Sequence, residues 1–354
     1  MYFDISPKAK REDLFGMDYH LDMLKRYMMD ESVRLIVIKG LRRTGKTSLL
    51  NVALNEIPLP TVKIDVRESP FYDRKEFLVF LIKKIKEKTS DFFDRIIENI
   101  AGVKFGYENF SFELFFSQEG NINSFFENLN DLLAKKRQQL ILAFDEAQLL
   151  KDIKFDYFLA SIFDNYKHIK IVLTGSEVGM LDKLLGKADY NAPLFGRAYI
   201  EIELKKIKED DVKRFLELGF KQIGKKIDFE EVKEVIENLD GIIGWVTYYG
   251  WFRYKGFSHR RALERVKEEG CVLIKKELEN FLKGRKAKSK YLKLLKYLKK
   301  GYNSWSSLKQ ALEKDGLKVS DSQLNLYLNE LANFGFIEKI AEKYFVTDPL
   351  LNFV

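Results

Sequence analysis

Eight consecutive residues, Gly40-Leu41-Arg42-Arg43-Thr44-Gly45-Lys46-Thr47, fill every fixed position of the pattern G-x-x-x-x-G-K-[ST]. The glycines let the chain turn tightly enough for its amides to point inward at phosphate oxygens. Lys46 brings a compact positive charge to the β and γ phosphates, and the Thr47 hydroxyl can ligate Mg²⁺. Ser48 completes the expected nucleotide-contacting stretch, 40–48. A helix that starts at Lys46 aims the positive end of its dipole at the same anion. The chemistry predicted is the binding of ATP or ADP with Mg²⁺.

A second set of residues could act on that nucleotide. Leu140-Ile141-Leu142-Ala143-Phe144 is an apolar run that ends in two carboxylates, Asp145 and Glu146. Asp145, at a strand end, can hold the Mg²⁺ shell beside Thr47, and Glu146 can polarise the water that attacks the γ phosphate. The competing reading of such a pair is a helix N-cap. Thr174-Gly175-Ser176 closes another apolar run, and the Thr174 hydroxyl there can sense the γ phosphate or cap a helix. Gly196-Arg197 offers a guanidinium that could stabilise transition-state charge, or serve as an ion-paired arginine. Lys46, Glu146 and Arg197 are thus the expected catalytic residues, with Thr47 and Asp145 the expected metal ligands.

These residues need rigid elements to bring them together. Short β-branched or apolar runs predict strands at 33–38, 61–66, 140–144, 169–174 and 199–204. Helical spacing predicts helices at 46–55, 73–88, 123–137, 154–166 and 177–186. Alternating strands and helices imply a parallel sheet covered on both faces, with 169–174 beside the first strand. The aromatic-rich stretch 103–116 reads as an inserted hairpin or a loop over the sheet. From 209 the pattern becomes helical: 209–219, 228–238, 242–254 and 258–282. After the basic stretch 283–288 come helices at 289–300, 304–314 and 320–334, and a two-stranded wing at 336–340 and 343–346.

Composition bounds the rest. Of the 354 residues, 46% are hydrophobic and 32% charged, which suits a packed protein of two or three domains. No apolar run approaches the ~20 residues that span a bilayer. The start of the chain lacks the basic-then-apolar order of a secretory leader. The single cysteine, Cys271, excludes an intramolecular disulfide framework and fits a reducing cytosol, so a cytoplasmic location is expected. With three histidines besides, a dedicated zinc site is not expected. Lys and Arg total 61 against 53 Asp and Glu, a net +8 that permits an acidic partner or simply solvates the surface.

Gly40 to Thr47, Asp145-Glu146, Thr174-Gly175-Ser176 and Leu194-Phe195-Gly196-Arg197 together resemble the archaeal ATPase family of the AAA+/STAND group of P-loop NTPases, relatives of the origin-recognition initiators. Phe15-Gly16-Met17-Asp18-Tyr19 sits where those proteins carry F-x-G-R-E near adenine, with Met17 and Tyr19 in place of the Arg and Glu. The ending Tyr344-Phe345-Val346-Thr347-Asp348-Pro349-Leu350 is similar to the family's ending after its winged helix. The resemblance implies a five-stranded core of order 5-1-4-3-2 over 1–206, a helical lid over 207–284 and a winged helix over 285–354. The family's Gly-x-Pro in the lid corresponds here to Gly241-Ile242-Ile243-Gly244-Trp245, without the proline. Arg253 is the one nearby candidate for a lid sensor.

A winged helix ordinarily reads DNA with its third helix, flanked by basic anchors. The third helix here, 320–334, has no Lys or Arg, and Asp321 and Glu330 would repel phosphate. Gln323, Asn325 and Asn329 could still reach base edges. The lysines lie on the first helix instead: Lys288, Lys290, Lys293, Lys296, Lys299 and Lys300. Besides ATP, the open partner classes are DNA through non-specific phosphate contacts, a protein partner and a second copy of the chain; no membrane is expected. The function expected is an ATP-driven conformational switch. The alternatives are a scaffold that holds nucleotide with little turnover, and a small-molecule kinase, against which the Asp145-Glu146 pair and the C-terminal helices argue.

Overall fold

A computed structural model describes residues 1–68, 73–88, 119–187 and 189–354. The inserted stretch expected at 103–116 lies outside them. The described elements are α1 (Asp18–Met29), β1 (Leu35–Gly40), α2 (Lys46–Glu56), β2 (Thr61–Asp65), α3 (Arg74–Lys88), α4 (Glu119–Lys135), β3 (Leu140–Asp145), α5 (Asp156–Asn165), β4 (Ile169–Gly175), α6 (Val178–Leu185) and β5 (Ile200–Leu204). The five strands are all parallel and stand in the order β2-β3-β4-β1-β5. This is the order that the family resemblance implied.

Burial on both faces explains why these strands are nearly continuous apolar runs. Along β1, Leu35 and Val37 pack with Phe77, Leu81, Phe125 and Leu159 of α3, α4 and α5. Ile36 and Ile38 turn the other way, onto Leu21, Leu24, Leu50 and Ala53 of α1 and α2. The first strand runs to Gly40 rather than stopping at Ile38, because its pairing with β5 continues to Gly40 opposite Leu204. Helix α1 has no counterpart among the elements read from the sequence. A lysine interrupts the apolar pattern of β4: Lys170 is buried and donates to the carbonyls of Tyr27, Met28 and Asp30, so it caps the C-terminus of α1.

The lid follows as α7 (Glu209–Gln222), α8 (Phe229–Leu239), α9 (Ile243–Tyr254) and α10 (His259–Leu282). The winged helix comprises α11 (Lys288–Lys299), α12 (Trp305–Lys314), α13 (Asp321–Asn333) and the antiparallel wing β6 (Ile337–Ile340) with β7 (Lys343–Val346). Ser304 and Ser320 each begin a capping box, which fixes where α12 and α13 start. Buried side chains of lid and winged helix form one continuous apolar cluster, from Phe215 and Trp245 to Leu324 and Leu350. Phe3 belongs to the same cluster. Its ring fills the space over Gly219 and Gly250, where an added Cβ would come within 2.2 and 2.1 Å of it. Among the described residues, no helix is long and apolar enough to cross a membrane.

Candidate functional site

The loop from Gly40 to Thr47 joins the carboxyl end of β1 to α2, where ligands of open parallel sheets gather. Gly45 has φ +94°, a left-handed conformation in which a Cβ would also strike the Met17 side chain at 2.6 Å. Gly40 passes so close to β5 that a Cβ would lie 2.3 Å from the Leu204 carbonyl oxygen. The Thr44 hydroxyl donates to the Leu41 carbonyl at 2.8 Å and closes the loop. Ser48, the third residue of α2, accepts the Lys8 amide at 3.0 Å and so anchors the N-terminal segment to the cradle.

Lys46 is buried, and its Nζ donates to the carbonyls of Gly40 and Leu41 at 2.8 and 2.7 Å. Burial pushes its pKa down to about 8, against the pull of Glu146 and Asp145 and with the help of Arg42 and Arg43. Nucleotide phosphates favour the charged ammonium, so the bound-state pKa must be higher. Below pH 8 both states hold the proton; above it the free site has lost its proton and binding must restore it. Nucleotide binding at pH 9 will therefore take up protons, and affinity will fall as pH rises through this range. Calorimetry in two buffers of different ionisation heat checks this; a heat independent of buffer would contradict it.

The strand-end acids converge on the cradle. Asp145 is fully buried; Thr47 donates to its Oδ2 at 2.8 Å, and Thr174 donates to its Oδ1. Lys63 of β2 approaches the same carboxylate at 3.5 Å. Thr47 and Asp145 thus present a hydroxyl and a carboxylate side by side, a hard oxygen donor set that fits Mg²⁺. Glu146 sits in a left-handed conformation at φ +58°, uncommon for a residue with a side chain. Its Oε2 accepts from Gln148 Nε2 at 2.6 Å and from Ser176 Oγ at 2.7 Å. Burial raises its pKa, but Lys46, Gln148, Ser176 and Arg67 outweigh that and hold it below the usual carboxylate range.

Lys46, Thr47, Asp145, Glu146 and Thr174 are brought together; Arg197 is not. Its guanidinium grips Asp164 of α5, with Nε to Oδ1 at 3.0 Å and Nη2 to Oδ2 at 2.5 Å, and also donates to the Pro193 carbonyl. That is the ion-paired alternative. Arg253 is likewise tied inside the lid, to Glu231 at 2.7 Å, and stacks on Phe220. The two loop arginines reach outward. Arg42 pairs with Glu177 at 2.6 Å and donates to the Phe334 carbonyl at 3.0 Å. Arg43, at φ +66°, pairs with Glu277 of α10 at 2.7 Å and lies 4.2 Å from the ring centre of Trp245. Glu177, Glu277 and Gln148 were missed from the sequence. Only Gln148 had a local signal, two residues beyond Glu146.

Known proteins match both the sheet-bearing part of the chain and its C-terminal part. Residues 18–248 match the model of an ATPase domain predominantly from Archaea, and residues 285–347 match the C-terminal winged helix-turn-helix domain of MCM proteins. The Walker-type ATPase of Pyrococcus abyssi is 31% identical, with a TM-score of 0.81 over 100% of this chain and 99% of that one. The ORC2 protein of Aeropyrum pernix, solved in ADPNP–ADP complexes, shares the fold at 14% identity, with a TM-score of 0.61 over 98% of this chain and 93% of that one. A curated relative, an uncharacterised HTH-type transcriptional regulator of Methanocaldococcus jannaschii, is 39% identical over 56 residues. That match covers 16% of this chain and 53% of the regulator, about half its length.

Proposed function

Because the chain belongs to the family of ATPase domains found predominantly in Archaea, we propose that it hydrolyses ATP with Mg²⁺ and that the bound nucleotide sets the position of its lid and winged helix. In this reading Gly40 to Ser48 cradle the phosphates. Lys46 neutralises the β and γ oxygens, Thr47 and Asp145 hold the metal, and Thr174 orders Asp145. Mg²⁺, when bound there, would offset phosphate charge. Glu146 accepts a proton from the attacking water as its oxygen bonds the γ phosphorus and the bond to the ADP oxygen breaks. Arg197 would take part only by leaving Asp164. The parts that move against one another in this reading are the core, 1–206, the lid, 207–284, and the winged helix, 285–354.

The observation that carries the switch is the reach of Arg42 and Arg43. Two neighbouring residues of the phosphate loop bind the lid through Glu277 and Trp245. They bind the C-terminal segment through the Phe334 carbonyl and, at 3.8 Å, Asp348. The Gly244 amide also donates to the Arg43 carbonyl at 3.0 Å. Phosphate charge entering the loop competes with these carboxylates for the same guanidinium groups, and ATP brings more of it than ADP. A ligand shifts an equilibrium only by its differential affinity for the two states, and this competition supplies one. Replacing Arg42 and Arg43 together by Ala should therefore raise amide exchange around 243–246 and 333–336 without nucleotide and make it insensitive to ATP, while ATP still binds. Exchange that still responds to ATP in this variant would contradict the link.

DNA association is the second reading, suggested by the winged-helix match. Its polar readers are already engaged: Trp305 donates to Asn325 Oδ1 at 2.8 Å, and Gln323 Oε1 accepts the Ser320 amide. Any affinity should rest on phosphate contacts from Lys290, Lys293, Lys296 and Lys343. It should then be indifferent to sequence and fall steeply with salt. Loss of a sequence-specific footprint in Asn325→Ala would contradict this.

A further inference from the structure

We propose that Gln148 and Ser176 are positioning residues for ATP hydrolysis: they clamp one carboxylate oxygen of Glu146 and leave the other to receive the proton of the attacking water. The inference rests on Glu146 being the base. Gln148 lies on the turn after β3 and Ser176 just after β4, so the two donors reach Glu146 from separate elements. Both are nearly inaccessible, at 4% and 3% exposure, and both bond the same atom, Oε2. Among the described residues, Oε1 of Glu146 has no hydrogen-bond donor. Two donors on one oxygen fix the carboxylate plane, which a flexible glutamate does not do unaided. The left-handed backbone at Glu146 is a second constraint of the same kind, since such strain persists only where the surroundings over-determine it.

Gln148 looks poorly chosen for a structural task. Its own Oε1 is buried with no hydrogen-bond donor, and it lies against Gly175, where an added Cβ would come within 2.8 Å. A buried amide with half its capacity unmet is costly, and its one side-chain hydrogen bond goes to Glu146. The glycine between Thr174 and Ser176 thus has a reason of its own: it admits the Gln148 amide beneath Glu146.

The test uses the full chain and two near-isosteric variants, Gln148→Met and Ser176→Ala, with melting curves to confirm folding. Each should lower kcat by roughly tenfold or more while KM and ADP affinity stay within about twofold. In a Glu146→Gln background neither should lower single-turnover hydrolysis further, because there is no base left to position. Unchanged kcat, a rise in kcat, or an undiminished further loss in the Glu146→Gln background would overturn the inference; a rise would show that the clamp holds the base back. Failure of the underlying reading has its own signature, because Glu146→Gln alone would then turn over normally.

Discussion

Glu146→Gln is expected to retain ATP and to lower turnover about 100-fold or more, the usual contribution of a positioned base. The substitution keeps the length of the side chain and its two bonds to Gln148 and Ser176 can be met by the amide oxygen. It removes a negative charge beside Lys46, which faces Glu146 across the site. Loss of that charge favours phosphate binding, so nucleotide affinity should hold or rise while chemistry stops. Retained ATP after gel filtration, with phosphate release near background, is the predicted pair of results. Normal turnover would remove Glu146 from the reaction.

Lys46→Ala should separate binding from folding. The charge-assisted contact to phosphate that is lost is worth about 1.5–3 kcal/mol, or roughly 10- to 150-fold in affinity. Stability should change far less. Burying the ammonium is unfavourable in the nucleotide-free protein, as its depressed pKa shows, and removing it relieves that cost along with its bonds to Gly40 and Leu41. Calorimetry with ADP and a melting curve check the two halves. Unchanged affinity in a folded variant would place the nucleotide elsewhere.

The parts of the site that lie close in sequence were legible, and so were those that end a strand. Gly40 to Thr47 is a local backbone requirement written in residue types, and Asp145 follows from an apolar run that stops at the carboxyl end of β3. Thr174 met Asp145 because β4 pairs with β3. The absence of Lys and Arg from α13 was also plain from its sequence. What could not be read were contacts between distant segments of the chain. Arg43 meets Glu277 across 234 positions, and Arg42 meets Phe334 across 292. No periodicity marks such partners, and a charged residue on a helix looks like any solvated one. Arg197 shows the same limit in a smaller span. Its motif suggested chemistry, but Asp164, 33 residues earlier in the last turn of α5, holds its guanidinium. Helix α1 has no capping side chain at its start, and its buried positions Leu21, Leu24 and Met28 are interleaved with further apolar residues, Met23, Tyr27 and Met29, which blur the helical stripe.

The central claim is that ATP at the phosphate loop changes how the lid and winged helix are held. Amide exchange in the Glu146→Gln protein, which keeps ATP intact, tests it most directly when ATP·Mg²⁺ and ADP·Mg²⁺ are compared. With ATP, the Gly244 amide that donates to the Arg43 carbonyl, and the segment 333–336 held by Arg42, should exchange faster than with ADP. The β1 and β3 amides should exchange alike in both, as an internal control. Identical exchange at 244 and 333–336 in the two nucleotide states, with both nucleotides bound, would contradict the account.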